Sequence, residues 1–139
     1  MYRHTVHYYE TDKMGVAHHS NYIRWMEEAR VAFLDSIGWD YARVEEEGIV
    51  SPVLGIECRY RSFTRFSDTV DIDVWVESFT GARLRFGYDM KNSAGQTVFT
   101  AVSEHCFMNP QGRVMRLKRD CPRLYDVLMS LAQEKAEKR

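Results

Sequence analysis

The residues best suited to chemistry are concentrated in one short segment near the start of the chain. It reads Tyr8-Tyr9-Glu10-Thr11-Asp12-Lys13-Met14-Gly15-Val16-Ala17-His18-His19-Ser20-Asn21-Tyr22. Asp12 lies in an expected turn, and His18 and His19 lie where a helix is expected to begin. The first N–H groups of a helix have no partner inside it, so with the helix dipole they can stabilise a developing oxyanion. A nearby carboxylate can act as a nucleophile or as a general base toward water.

The same residues also have purely structural interpretations, which spacing alone leaves open. Aspartate is common in turns because its side chain accepts a hydrogen bond from the backbone two residues on, so Asp12 can be an Asx-turn residue. His18 and His19 can likewise be structural residues at a helix entry.

Other common site chemistries are disfavoured by the sequence. His4 and His7 have opposite parity on the expected first strand and would face opposite sides, so we predict no metal site. Cys58 and Cys106 lie in strand patterns with no base beside them, which favours core residues over nucleophiles. The sequence has no glycine-rich phosphate loop, and we predict no cofactor.

Two basic clusters can hold phosphate groups of a ligand, because arginine and lysine bind them by charge-assisted hydrogen bonds. The alternative is a pair of solvated faces neutralised by the acidic residues at 45–47 and 68–73. The members are Arg59, Arg61 and Arg65 in the first cluster, and Arg113, Arg116, Lys118 and Arg119 in the second.

The helices and strands that surround these residues are predicted from the spacing of apolar residues along the chain. The spacing predicts a helix over Asn21–Ile37, with Ser20 or Asn21 as its cap, so apolar around most of its circumference that something must enclose it. Alternation predicts a first strand including Val6 and Tyr8, then several strands with one buried face. These later runs are 54–60, 70–77, 84–90 and 97–107, followed by a turn at 109–112 and a second helix from Pro122 that frays over 133–139.

Composition sets the class of protein. The chain has 139 residues and a net charge of −1, which suits one domain spanning 1–139 and excludes a broadly cationic nucleic-acid surface. No run approaches about 18 apolar residues, so we expect no membrane span. The N-terminus lacks the apolar run of a secretory signal, and we expect a cytoplasmic location. One enclosed helix followed by antiparallel strands predicts an α+β fold.

The segment from Tyr8 to Tyr22 resembles the signature of hotdog-fold acyl-CoA thioesterases, in the 4-hydroxybenzoyl-CoA thioesterase branch and closest to its YbgC-like group. The matching features are the aromatic-rich strand, Thr11-Asp12, Gly15-Val16, and His19, Asn21 and Tyr22 before a helix that reads Arg24-Trp25-Met26-Glu27-Glu28-Ala29-Arg30. The resemblance extends to about residue 130. It implies an antiparallel sheet wrapped around a long central helix, and hydrolysis of an acyl-CoA or acyl-carrier thioester.

The resemblance also implies roles for individual residues. Asp12 matches the catalytic carboxylate, and the backbone N–H of His19 would polarise the thioester carbonyl. Gly15 would let the turn approach that carbonyl, with Tyr8 and Ser20 as neighbours of the substrate. The two basic clusters become candidates for contact with the CoA phosphates. Proteins of this kind form homodimers or homotetramers, so we expect at least a dimer.

Two alternatives to hydrolysis remain at this point. One is hydration or dehydration of an enoyl thioester by a pair made of His19 with Glu27 or Glu28. The other is a non-catalytic module that binds acyl-CoA or an acyl carrier. The sequence does not select the acyl group, because the pocket depends on side-chain orientations.

Overall fold

The computed structural model describes residues 1–138, which form five strands and four α-helices. A 3₁₀ helix, Tyr8–Glu10, follows the first strand. The elements in chain order are β1 (Tyr2–Thr5), α1 (Ser20–Ser36), α2 (Tyr41–Glu46), β2 (Val53–Tyr60), β3 (Thr69–Phe79), β4 (Arg83–Asn92), β5 (Thr97–Cys106), α3 (Leu117–Asp120) and α4 (Pro122–Glu137).

The strands form one sheet in the order β1-β3-β4-β5-β2. β1 pairs antiparallel with β3, with Tyr2 opposite Ile72 and Thr5 opposite Thr69. The neighbouring positions of β3, β4 and β5 confirm the predicted succession of hairpins. The α+β class is therefore confirmed, with β2 at one edge of the sheet.

Contacts group the chain into two compact units. The first comprises 1–33, 58–74 and 88–101, and the second comprises 34–57, 75–87 and the chain from Val102 onward. Trp25 and Met26 are fully buried in the first unit, whereas Trp39 and Leu117 are buried in the second. Each unit has its own cluster of buried aromatic and aliphatic side chains.

Helix α1 lies within one residue of its predicted bounds. It buries Tyr22, Trp25, Met26 and Ala29, the i, i+3, i+4, i+7 spacing of a single helix face. The segment 31–34 is only partly buried. The prediction of a helix enclosed on most sides is therefore wrong: α1 is buried along one face, while Arg24, Glu27 and Glu28 in its first turns are exposed.

In the second unit, the C-terminal helix α4 is longer than predicted. It continues to Glu137 rather than fraying from residue 133, and position 139 lies outside the described residues. Tyr125 packs its ring 5.6 Å from Phe79, and the Lys135 ammonium lies 4.4 Å from the ring centre of Trp75. These two contacts lie near the two ends of α4, at Tyr125 in its first turn and at Lys135 in its last, and they hold the helix in place.

Two further predictions need correction. The first strand ends at Thr5, so Val6 and Tyr8 do not alternate within it and Tyr8 begins the 3₁₀ helix. β2 has no buried face, because seven of its eight residues are exposed and only Cys58 is half-buried. A strand at a sheet edge lacks a neighbour on one side, which its own alternation does not reveal. No helix within residues 1–138 is long and apolar enough to cross a membrane.

Candidate active site

A cavity of about 270 Å³ opens in the first unit, where the segment before α1 meets the end of β2. Its walls contain one carboxylate, one imidazole and one guanidinium among mainly apolar and aromatic side chains. The lining residues are Asp12, Met14, Val16, Ala17, His19, Tyr22, Tyr60, Arg61, Ser62 and Phe63. The structure therefore brings together Asp12 and His19, the two residues that the sequence singled out.

Asp12 lies in a tight turn closed by backbone hydrogen bonds. Its N–H donates to the Val16 carbonyl at 3.0 Å, and the Gly15 N–H donates to the Asp12 carbonyl at 2.9 Å. Gly15 has a φ of +78°, which favours glycine over any residue with a side chain. Asp12 Oδ1 accepts the Met14 N–H at 2.8 Å, so the Asx-turn interpretation is correct. The other oxygen, Oδ2, accepts no hydrogen bond from the described residues and is available for chemistry.

The entry to α1 is held by hydrogen bonds of His18 and Asn21, and neither Ser20 nor Asn21 forms the side-chain cap predicted for it. The His18 N–H and the Asn21 side-chain amide both donate to the Glu10 carbonyl at 2.8 Å. His18 Nδ1 accepts the Ser20 N–H at 3.2 Å and lies 2.8 Å from Ser20 Oγ. Asn21 is thus buried as an anchor, and Ser20 is the first helical residue.

The backbone of His19 lies beside the cavity between two anchored groups. Its N–H has no acceptor among residues 1–138, and its carbonyl accepts the Tyr60 hydroxyl at 2.9 Å. Because it precedes the helix, this N–H lies at the positive end of the α1 dipole. His19 thus carries an unpaired donor that could serve an oxyanion, and it lines the same cavity as Asp12.

The aromatic wall of the cavity is built from Tyr22 and Tyr60. The Tyr22 hydroxyl is buried and hydrogen-bonds to Thr64 at 2.8 Å, and burial raises its pKa. Desolvation also raises the pKa of Tyr60, and the adjacent Cys58 thiol adds to this effect. Both phenols therefore stay protonated at neutral pH. The Tyr22 ring stacks on Phe99, with ring centres 5.0 Å apart.

Glu10, which the sequence analysis did not single out, is buried immediately before the turn that carries Asp12. Its carboxylate accepts hydrogen bonds from His4 Nε2 at 2.8 Å, from the His7 N–H at 2.8 Å and from Trp25 Nε1 at 2.7 Å. Burial opposes ionisation, but these donors outweigh it and hold the pKa of Glu10 below its ordinary value. An acidic residue two positions before the candidate carboxylate was the available sequence signal.

The parity argument against a metal site was wrong in its geometry. His7 lies beyond the end of β1, and ligand atoms of His4, His7 and Glu10 lie within 4.8 Å of one another. The Glu10 oxygens already accept three donors, so a cation here would have to displace hydrogen bonds. The absence of a metal stays a prediction.

Tyr8 and Ser20 are not among the residues that line the cavity. The Tyr8 side chain is exposed, and its ring lies 5.7 Å from that of Phe66 in an edge-on contact. Ser20 is engaged with His18. Ser20 therefore hydrogen-bonds to His18 and does not border the cavity.

The first basic cluster does not act as a unit. Arg61 lines the cavity, whereas Arg59 and Arg65 do not. The Arg65 backbone N–H donates to the Asp68 carboxylate at 2.8 Å. Only one cation of this cluster therefore borders the candidate active site.

The second basic cluster borders a separate cavity in the second unit, of about 360 Å³. Arg113 is not part of its wall. Arg119 is paired with Asp120 at 2.9 Å, and this carboxylate raises the pKa of Arg119. The lining residues are Thr80, Gly81, Ala82, Arg116, Lys118, Arg119 and Tyr125.

The acid–base pair required for enoyl hydration is not formed. Glu28 contacts His4 Nδ1 at 3.3 Å instead of His19. Within residues 1–138, neither Glu27 nor Glu28 hydrogen-bonds to His19. The hydration alternative therefore lacks the pairing that it needs.

Comparison with known proteins gives a consistent result. A family model described as the thioesterase-like superfamily matches residues 6–134. YneP of Bacillus subtilis, which is named as an acyl-CoA thioesterase, is 36% identical over 100 residues, 72% of each chain. An Aquifex aeolicus protein named as an esterase is 30% identical over 86% of this chain and 92% of its own. The crystal structure of a DHNA-CoA thioesterase from Staphylococcus aureus superposes with a TM-score of 0.93 at 29% identity, covering 99% of this chain and 93% of that one. With the five-stranded sheet, this confirms the predicted hotdog fold.

The pKa of Glu10 predicts acid sensitivity. Because its folded pKa lies below the unfolded value of about 4.3, the ionised carboxylate stabilises the protein above that pH. This stability is lost as the pH falls through the folded pKa. In urea titrations, the free energy of unfolding of the wild type should fall more steeply below about pH 4.5 than that of Glu10→Gln. Glu46→Gln, on the exposed face of α2, is the control and should follow the wild type; equal slopes for Glu10→Gln and wild type would contradict the assignment.

Proposed function

Because this chain belongs to the thioesterase-like superfamily, we propose that it hydrolyses the thioester of an acyl-CoA to a carboxylic acid and free CoA. The observation that carries the proposal is that Asp12, whose Oδ2 accepts no hydrogen bond from the described residues, and His19, whose N–H has no acceptor among them, line one cavity. A thioester needs an attacking group and an oxyanion stabiliser, and it needs little help with a thiolate leaving group. This cavity supplies the first two.

Asp12 can act in either of two balanced sequences. As a general base, it takes a proton from water as the oxygen of that water adds to the thioester carbonyl. The tetrahedral intermediate then expels CoA thiolate, which takes the proton from Asp12 and regenerates the base. As a nucleophile, its carboxylate oxygen adds to the carbonyl and expels the thiolate, and water cleaves the mixed anhydride to regenerate Asp12. In both sequences the His19 N–H holds the carbonyl oxygen as negative charge develops. The free Asp12 Oδ2 suits either role.

The remaining residues of the segment support this chemistry. Gly15 permits the left-handed backbone that keeps Asp12 beside the cavity. Tyr60 fixes the His19 peptide through its hydroxyl. The cavity walls are apolar and aromatic, which suits an acyl group. Within the superfamily, we assign the chain to the 4-hydroxybenzoyl-CoA thioesterase branch and its YbgC-like group on the motif Tyr8–Tyr22, acting in the cytoplasm.

Asp12→Asn should lower kcat for acyl-CoA hydrolysis by about 10²–10⁴-fold, because the amide is neither a nucleophile nor a base of comparable strength. Asparagine can still accept the Met14 N–H, so the turn and the thermal midpoint should be retained. The measurement is thiol release across a panel of acyl-CoAs and acyl-carrier thioesters, with enoyl absorbance followed in parallel.

The matched control for this change is Asp40→Asn. Asp40 caps α2 by accepting the Arg43 N–H at 2.9 Å, a role that asparagine also fills. It should leave kcat unchanged. Near-normal hydrolysis by Asp12→Asn would contradict the proposed mechanism, as would enoyl hydration. Tight binding without turnover by the wild type would indicate the non-catalytic module.

We further propose that cations that border a cavity contact the CoA phosphates: in the first unit this is Arg61, and in the second unit, taken by itself, these are Arg116, Lys118 and Arg119. In Arg116→Gln/Lys118→Gln, KM for acyl-CoA should rise about tenfold, as expected for the loss of charge-assisted hydrogen bonds. KM for the matching acyl-pantetheine, which lacks the nucleotide phosphates, should not change.

The control for this change removes the same charge elsewhere. Arg83→Gln/Arg85→Gln breaks the surface pairs with Glu104 and should leave both KM values near wild type. If the Arg116/Lys118 variant raises KM for the acyl-pantetheine as much as for acyl-CoA, the phosphate role is refuted.

We propose that the protein is a homo-oligomer that pairs through the β2 edge. This strand exposes Leu54 and Ile56 on one face and Val53 on the other, and an exposed apolar edge is a template for pairing with another chain. Light scattering should give a mass at least twice 16.4 kDa, and Leu54→Lys/Ile56→Lys should shift it toward 16.4 kDa. Val114→Lys, another exposed position, is the control. A monomeric wild type would refute this proposal.

A further inference from the structure

The carboxylate of Glu10 joins three separate segments of the first unit. His4 contributes from β1, His7 contributes its backbone N–H, and Trp25 contributes its indole N–H from α1. Glu10 is only 7% exposed, and its oxygens receive three donors at 2.7–2.8 Å. A buried carboxylate with this many donors holds its own backbone in place, because moving it would leave a buried charge without hydrogen-bond donors or water.

The backbone carbonyl of the same residue holds the entry to α1. It accepts both the His18 N–H and the Asn21 side-chain amide at 2.8 Å. Glu10 therefore anchors with its side chain and holds the helix start with its main chain. Both attachments lie within the first unit.

The two reacting groups of the proposed site lie directly downstream of these attachments. Asp12 follows Glu10 by two residues, and the His19 N–H follows the anchored His18 by one. Beyond it, the His19 carbonyl is held by Tyr60. We infer that Glu10 is a positioning residue that fixes the Asp12 carboxylate relative to the His19 N–H without touching the substrate, an inference that rests on the proposed function.

His4 extends the same network away from the cavity. Its second ring nitrogen lies 3.3 Å from Glu28, and its ring lies 4.7 Å from that of Trp25. The two ring nitrogens of His4 thus each lie against a carboxylate, that of Glu10 on one side and that of Glu28 on the other. The His4 ring is buried, which keeps the donor to Glu10 in place.

The kinetic test is Glu10→Gln, which preserves size but replaces one acceptor oxygen with an NH₂ group. We expect kcat to fall at least tenfold while KM changes less than twofold, since the cavity wall itself is intact. The control is Asp71→Asn, which replaces one of the two oxygens that accept from Arg3 between β1 and β3 with an NH₂ group and should leave kcat unchanged. Measurements are made well below each thermal midpoint. A kcat for Glu10→Gln within twofold of wild type, or a loss matching only its unfolded fraction, overturns the inference.

A second readout does not depend on activity. Hydrogen exchange of the His18 amide, followed by ¹⁵N-resolved NMR, should accelerate at least tenfold in Glu10→Gln and remain unchanged in Asp71→Asn. Unchanged exchange in Glu10→Gln overturns the inference. A wild type that hydrolyses no acyl-CoA refutes the proposed function, and the exchange result then decides the positioning role by itself.

Discussion

The site depends on the burial of one charged carboxylate, that of Glu10. An ionised group away from water costs several kcal/mol unless donors replace its hydration, and here three donors from separate segments do so. None of those segments can move without leaving the charge unsatisfied. The turn that follows Glu10 is thereby held in place although its own residues are exposed. Because the start of the turn is anchored, the turn can be exposed and still hold the Asp12 carboxylate in a fixed position toward solvent and substrate.

From this constraint the cavity acquires its chemical character. One wall presents Asp12, which keeps an unpaired oxygen because its other oxygen closes the turn. The cavity is also lined by His19, whose backbone N–H at the start of α1 is a hydrogen-bond donor without an acceptor among residues 1–138. Phenols of Tyr22 and Tyr60 are committed to Thr64 and to the His19 carbonyl, so they stabilise the wall and offer little acid–base chemistry. The cavity therefore combines a carboxylate with a free oxygen, a histidine at the start of α1 and a mainly apolar lining, which is the combination that the proposed hydrolysis requires.

The sequence predicts elements with a sustained period well. The predicted bounds of helix α1 and of strands β3, β4 and β5 agree with the structure to within a few residues. Their apolar residues recur over several helical turns in α1 and at every second position in the strands, so the period is clear. It also brought Asp12 and His19 together, since both lie in one short segment. The alternation near Val6 was too short to distinguish a strand from the 3₁₀ helix that follows it.

The sequence could not reveal what depends on distant partners. Glu10 is separated from His4 by six residues and from Trp25 by fifteen, so no local pattern shows that it is buried. The alternation in β2 does not show whether another part of the fold covers either of its faces, and in the structure both are exposed. The sequence shows which basic residues lie close together along the chain, but in the structure only some of them border a cavity. Side-chain direction, and not residue type, decides that outcome.

We propose that one cavity holds the thioester between a carboxylate and a backbone N–H. A crystal structure of Asp12→Asn with an intact acyl-CoA would test this placement. The thioester carbonyl oxygen should lie within about 3.2 Å of the His19 amide nitrogen, with the side chain at position 12 beside the carbonyl carbon. A thioester bound with its carbonyl away from the His19 N–H, or outside this cavity, would contradict it.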